Sequence, residues 1–107
     1  MAFVDVSTLQ VKEQIKGFHG RAIHTGTQSF LYWSVEAGAS IPMHSHHHEQ
    51  VAHVLTGRFE LTLDSETRVL EPGIVAVIPP HVPHGGKAIT DCQLLDVFMP
   101  ERDDYKW

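Results

Sequence analysis

The sequence predicts an all-β domain, a sandwich or barrel of short strands. Three observations lead there. Six runs of four to nine residues are rich in β-branched, aromatic and aliphatic side chains. Turn-forming residues separate them at short intervals. Between Arg58 and Leu63 the polarity alternates, with Phe59, Leu61 and Leu63 on one side and Arg58, Glu60 and Thr62 on the other, the period of a half-buried strand.

In chain order, the one helix-like stretch is Ser7 to Lys16, where a serine is placed to cap but Val and Ile oppose the helix. The expected strands are Ser29 to Ala37, Val51 to Thr56, Arg58 to Leu63, Thr67 to Leu70, Ile74 to Ile78 and Gln93 to Met99. Gly38, Gly57, Glu71 to Gly73, Pro79–Pro80 and Gly85–Gly86 punctuate them. A charged stretch, Glu101 to Asp104, leaves the last strand. There is no internal repeat or linker, so residues 1–107 read as a single domain. Closing such a sheet into a barrel hides its edges.

The composition narrows the partners. A net charge of −5 offers no cationic stripe for phosphates and argues against nucleic acid, while a local cationic pocket for a small anionic molecule stays compatible with it. No apolar run is long enough to span a bilayer. Cys92 stands alone, which precludes an internal disulfide, and the first residues lack the pattern of a signal peptide. A cytoplasmic protein is the expectation. A domain this small buries a modest share of its surface, so a homodimer is expected too.

Histidine is the anomaly: nine are present, and His44, His46, His47, His48 and His53 lie within ten residues of one another. In an extended chain residues two apart share a face, so His44 and His46 point one way, as do His48 and Gln50. Two imidazoles and an oxygen donor on a concave face can converge on one metal ion. A further ligand must come from elsewhere, and the proline-fixed segment Pro79 to His84 offers His81 and His84. A solvated His-rich loop is the plainer reading. A zinc-protease motif fails, because His48 and His53 are five apart rather than four.

These residues resemble the cupin family. Gly38, His44, His46, Gln50 and Gly57 reproduce its first motif, glycine–five residues–His-x-His–three residues–Glu–six residues–Gly, and Gly73, Pro79 and His84 reproduce the second. The resemblance implies a jelly-roll β-barrel holding one divalent transition metal through His44, His46, Gln50 and His84. The set suits nickel, iron, zinc, cobalt or manganese. Two positions depart from the pattern: Gln50 replaces a carboxylate, leaving Glu49 as an alternative ligand, and His81 replaces a glycine. A neutral amide leaves the dication uncompensated, which favours Lewis-acid work on anions over dioxygen chemistry.

Within the family, His44 to Gln50 joined to Leu94, Asp96, Phe98, Pro100, Arg102 and Tyr105 is similar to the KdgF-type pectin-degradation cupins. Those convert unsaturated uronate monosaccharides to linear keto sugars. The resemblance implies Asp96, Phe98 and Arg102 as reaction residues. Read without it, Asp96 shares a buried strand face with Leu94 and Phe98 and must be paired or neutralised, by Arg102 or by a ligand histidine. The opposite face, with Leu95 and Val97, is expected to meet a partner subunit. Phe30, Tyr32, Trp33, Met43 and Met99 read as core or wall, His47, His48, His53 and His81 as rim, and Arg21 and Lys87 as possible anion contacts. A metal-dependent dioxygenase, another small-molecule isomerase and a non-catalytic binding module are the competing functions.

Overall fold

The computed structural model describes residues 2–107. Ten strands form two antiparallel sheets. They are β1 (Lys12–Ile15), β2 (Phe18–His24), β3 (Ser29–Val35), β4 (Ser40–His44), β5 (Glu49–Thr56), β6 (Phe59–Leu63), β7 (Glu66–Leu70), β8 (Val75–Ile78), β9 (His84–Ala88) and β10 (Cys92–Met99). The large sheet runs β1-β2-β3-β10-β5-β8 and the small one β4-β9-β6-β7. The two face each other as a jelly roll that does not strictly close.

The core lies between the sheets, and side-chain parity decides what enters it. Along β3, Ser29, Leu31, Trp33 and Val35 are buried while Phe30, Tyr32 and Ser34 are only partly covered. Along β6, Phe59 and Leu61 face in and Glu60 faces out. Phe18 stands edge-on to Trp33 and Phe59, with ring centroids 6.2 and 6.3 Å away, and joins the two sheets in the core.

The expected helix from Ser7 to Lys16 does not form. Val6–Thr8 makes one 3₁₀ turn, capped by the Asp5 side chain rather than by Ser7, and the segment then extends into β1. Val11 and Ile15 are a single helix-spaced apolar pair, too small a stripe to hold a helix, so pairing with β2 wins. Four strands were not foreseen: β1, which lies within the expected helix, and β2, β4 and β9. The expected core positions Phe30 and Tyr32 lie on the outer face of the large sheet, and Met43 and Met99 are exposed. Among the described residues no helix is long and apolar enough to cross a membrane.

Candidate metal centre

The centre lies at one mouth of the gap between the sheets. His44 closes β4 and His84 opens β9, and the two are direct cross-strand partners. His46 sits in the loop between β4 and β5, and Gln50 is the second residue of β5. His81, where the cupin motif has glycine, adopts φ 69°, the left-handed backbone that glycine accepts most readily. Its N–H donates to the His46 carbonyl at 2.8 Å, which ties the second motif to the first.

Ring nitrogens of His44, His46 and His84 lie within 4.8 Å of one another. Each ring is oriented by a carbonyl at its Nδ1: Pro42 for His44 at 2.8 Å, His48 for His46 at 3.1 Å and Val82 for His84 at 2.9 Å. A carbonyl only accepts, so each Nδ1 carries the proton and each Nε2 presents a lone pair. His84 Nε2 is buried and has no hydrogen-bond partner. Burial, followed by repulsion from Arg102 and His84, lowers the His46 pKa to about 4, so its ring is neutral near pH 7. Burial likewise lowers that of His84.

Gln50 is 7% exposed and its Oε1 lies 3.1 Å from His46 Nε2. With Nδ1 holding the only proton of a neutral imidazole, two acceptors face each other there. Turning the amide over would set its oxygen against Asp96, whose carboxylate takes a hydrogen bond from Gln50. Three converging lone pairs, an orphaned buried nitrogen and an amide oxygen with no proton to share fit a divalent cation. Glu49 is exposed on the other parity, opposite Met99, so the alternative ligand is excluded by the register.

Beside this cluster β10 presents Asp96 and Phe98. The Asp96 carboxylate accepts from Trp33 Nε1 at 3.1 Å. It is walled in by protein but keeps a little surface toward a cavity of about 260 Å³, whose lining includes His44, Gln50, His84, Phe98 and Arg102. Burial raises its pKa to about 6 against the opposing bonds from Gln50 and Trp33. Phe98, 2% exposed, stands 5.7 Å from the His46 ring.

The Asp96–Arg102 ion pair does not form. Arg102 instead pairs side-on with Asp104, Nε to Oδ1 at 2.9 Å and Nη2 to Oδ2 at 2.7 Å. Its guanidinium carbon lies 4.7 Å from the Phe98 centroid and 4.2 Å from that of Tyr105. One edge is thus saturated, and the plane is held between two rings at the cavity wall. Arg21 and Lys87 do not line the cavity; parity carries both to outer faces. Of the rim histidines, His48 is buried, with Nε2 bonded to the Glu101 carbonyl at 3.2 Å.

Sequence reasoning missed the residues that hold the C-terminal segment. Ser29 Oγ accepts the Arg102 N–H at 2.8 Å and bonds His24 Nδ1 at 2.7 Å, while His24 Nε2 reaches the Tyr105 carbonyl at 3.1 Å. This relay joins residues 73 and 81 apart in sequence, and no spacing rule reveals it. The Trp33 contact to Asp96 is equally non-local.

With this geometry in hand, residues 31–98 match the cupin domain model. The pectin degradation protein KdgF of Dickeya dadantii is 33% identical over 70 residues, 64% of this chain and 64% of that protein. The chain therefore spans a little under two thirds of that relative. The solved structure of KdgF from Halomonas sp. superposes with a TM-score of 0.91 at 31% identity, covering 97% of each chain. An RmlC-like cupin from Shewanella frigidimarina gives 0.92 at 27% identity, over 98% of this chain and 96% of that one.

Proposed function

Because this chain belongs to the cupin family, we propose that it is a metal-dependent enzyme that converts unsaturated uronate monosaccharides to their linear keto form. One observation carries the reading: a carboxyl group with pKa about 6 shares a small cavity with a three-histidine, one-glutamine cluster and an aromatic-clamped arginine. The likeness to the two KdgF proteins supports the substrate class.

His44, His46, Gln50 and His84 would hold one divalent transition metal, which supplies Lewis-acid polarisation of the sugar's oxygens. The chain's own groups do the rest. Asp96 titrates near the working pH and serves as general base and then acid. It takes the proton of the anomeric hydroxyl as the bond from the anomeric carbon to the ring oxygen breaks, leaving an aldehyde and an enolate. It then returns that proton to the former alkene carbon as the enolate becomes a ketone. The change is an isomerisation, with no electrons gained or lost. Arg102 offers its free edge to the sugar carboxylate. Phe98 walls the sugar and keeps water from that side of Asp96. Neutral Gln50 in place of a carboxylate avoids a second negative charge beside Asp96, which would drive its pKa higher.

The test is loss of the conjugated double bond by ultraviolet absorbance, with metal-loaded protein and an unsaturated uronate monosaccharide. Metal-dependent acceleration, absent in His44→Ala and in Asp96→Asn, is the expected result. A rate equal to the spontaneous one defeats the proposal.

A further inference from the structure

The segment that follows β10 carries Arg102, and three of the bonds that fasten it come from one place, the β2–β3 hairpin. The Gly26 N–H donates to the Glu101 carboxylate at 2.6 Å. Ser29 Oγ accepts the Arg102 N–H, and His24 Nε2 reaches the Tyr105 carbonyl. The proton roles among them close without a gap. The Tyr105 carbonyl can only accept, so His24 Nε2 carries the ring proton and Nδ1 keeps its lone pair. The Ser29 hydroxyl donates to that lone pair at 2.7 Å, which leaves its oxygen free to accept from Arg102. One imidazole therefore grips the 3₁₀ turn at both ends, through Ser29 at residue 102 and directly at residue 105.

The register places this clasp beside the candidate metal centre. His24, Ser29, Phe98 and Gln50 stand side by side across β2, β3, β10 and β5, and Ser29 is fully buried. Of the two rings that hold the guanidinium, Phe98 belongs to β10, whereas Tyr105 belongs to the segment itself. The arginine keeps its place over Phe98 only while residues 102 and 105 keep theirs. Asp104 cannot secure that place. It is two residues from Arg102 in the same turn, so the fork between them travels with the arginine wherever the segment goes.

We propose that His24 and Ser29 are positioning residues for Arg102, and that the β2–β3 hairpin sets where the guanidinium stands in the cavity wall. The carboxylate that Arg102 would hold rests on the uronate reading; the placement of the guanidinium does not. Neither residue touches the sugar. Their effect passes through the arginine, so it falls on binding of the carboxylate rather than on the proton transfers at Asp96.

Three variants of the full chain test this. His24→Leu removes both ring bonds at similar bulk, Ser29→Ala removes the hydroxyl alone, and His24→Gln restores one acceptor and one donor. With metal loaded and an unsaturated uronate monosaccharide as substrate, the first two should raise KM about tenfold and leave kcat within about twofold, the pattern of lost uniform binding, while His24→Gln should stay within about threefold of the wild-type KM. In nuclear magnetic resonance spectra the Arg102 Nε–H signal should shift or broaden in His24→Leu and Ser29→Ala and keep its wild-type position in His24→Gln. An unchanged KM in the first two variants overturns the proposal, as does a loss that His24→Gln and His24→Leu share equally. So does an Nε–H signal indifferent to all three. Should the wild type leave the uronate untouched, the uronate reading fails, and the Nε–H signal alone upholds or overturns the clasp.

Discussion

Asp96→Asn should make the metal-free protein more stable while ending turnover. The carboxyl group titrates at about 6 in the fold against 3.8 in an unperturbed setting, because burial opposes its charge more than Trp33 and Gln50 support it. At about 1.36 kcal/mol per unit, two units correspond to a destabilisation of about 3 kcal/mol at neutral pH. The carboxylate keeps some cavity-facing surface, so a gain of roughly 1–3 kcal/mol is the fair expectation for Asn. Asn retains an oxygen for the Trp33 N–H but turns its NH2 toward the Gln50 amide, which holds the gain toward the lower end of that range. The sign follows from the raised pKa. Below 3.8 the group is protonated in both folded and unfolded chains, and the two proteins should differ little. Between 3.8 and about 6 the unfolded chain gives up its proton first, so wild-type stability falls behind that of the variant as pH rises. Above that window the gap is constant. Urea unfolding of chelator-stripped wild type and variant at pH 4, 5, 6 and 7 measures it. A variant no more stable at pH 7, or a gap that stays open at pH 4, would refute the reasoning.

Three further perturbations test the site. Adding nickel, cobalt or zinc at about a hundred times its dissociation constant should raise stability by about 2.7 kcal/mol, seen as a higher melting temperature, and His84→Ala should remove most of that rise. Trp33→Phe deletes a bond that favours the Asp96 carboxylate, so the basic-going limb of the pH–rate profile should move to higher pH, with about 1 kcal/mol of stability lost. In Asp104→Asn, the loss of the Arg102 fork should cost at most about 1 kcal/mol, since Asp104 is half exposed. The Arg102 bond holds the Asp104 carboxyl below its ordinary value, so that stabilisation is complete above pH 3.8 and disappears as pH falls through the depressed pKa; acid unfolding curves of the two proteins should merge there.

The convergence of His44 and His46 was legible because a two-residue spacing in extended chain is a geometric statement. The strand that carries Asp96 and Phe98 was legible because its apolar content leaves no other reading. Where the sequence misled, glycine was the usual cause. Gly85–Gly86 resembles a turn, yet both lie inside β9. A Cβ on Gly86 would sit 2.4 Å from the Phe59 ring, so that glycine answers to close packing rather than to chain reversal. Gly20 breaks the pattern of β2 in the same way, because the Trp33 ring occupies the space a side chain would need. The pairing of Arg102 with Asp104 instead of Asp96 depends on where a 3₁₀ turn places residues 103–105, and on a Ser29–His24 relay that joins distant strands. Sequence spacing carries no trace of such contacts.

The alternation along β10 ties two properties to one reading frame of the strand. Asp96 and Phe98 point to the cavity while Leu95 and Val97 point outward, each separated from the next by a single residue. A slip of one position would send leucine and valine into the polar mouth and leave a carboxylate on the apolar face. Single substitutions can therefore tune either side of β10 separately, whereas a one-residue insertion or deletion in it damages both sides together. The irregular pairing between Gln93 and Leu94 lies at the end of the strand away from Asp96 and Phe98, where length variation can be absorbed without inverting those residues.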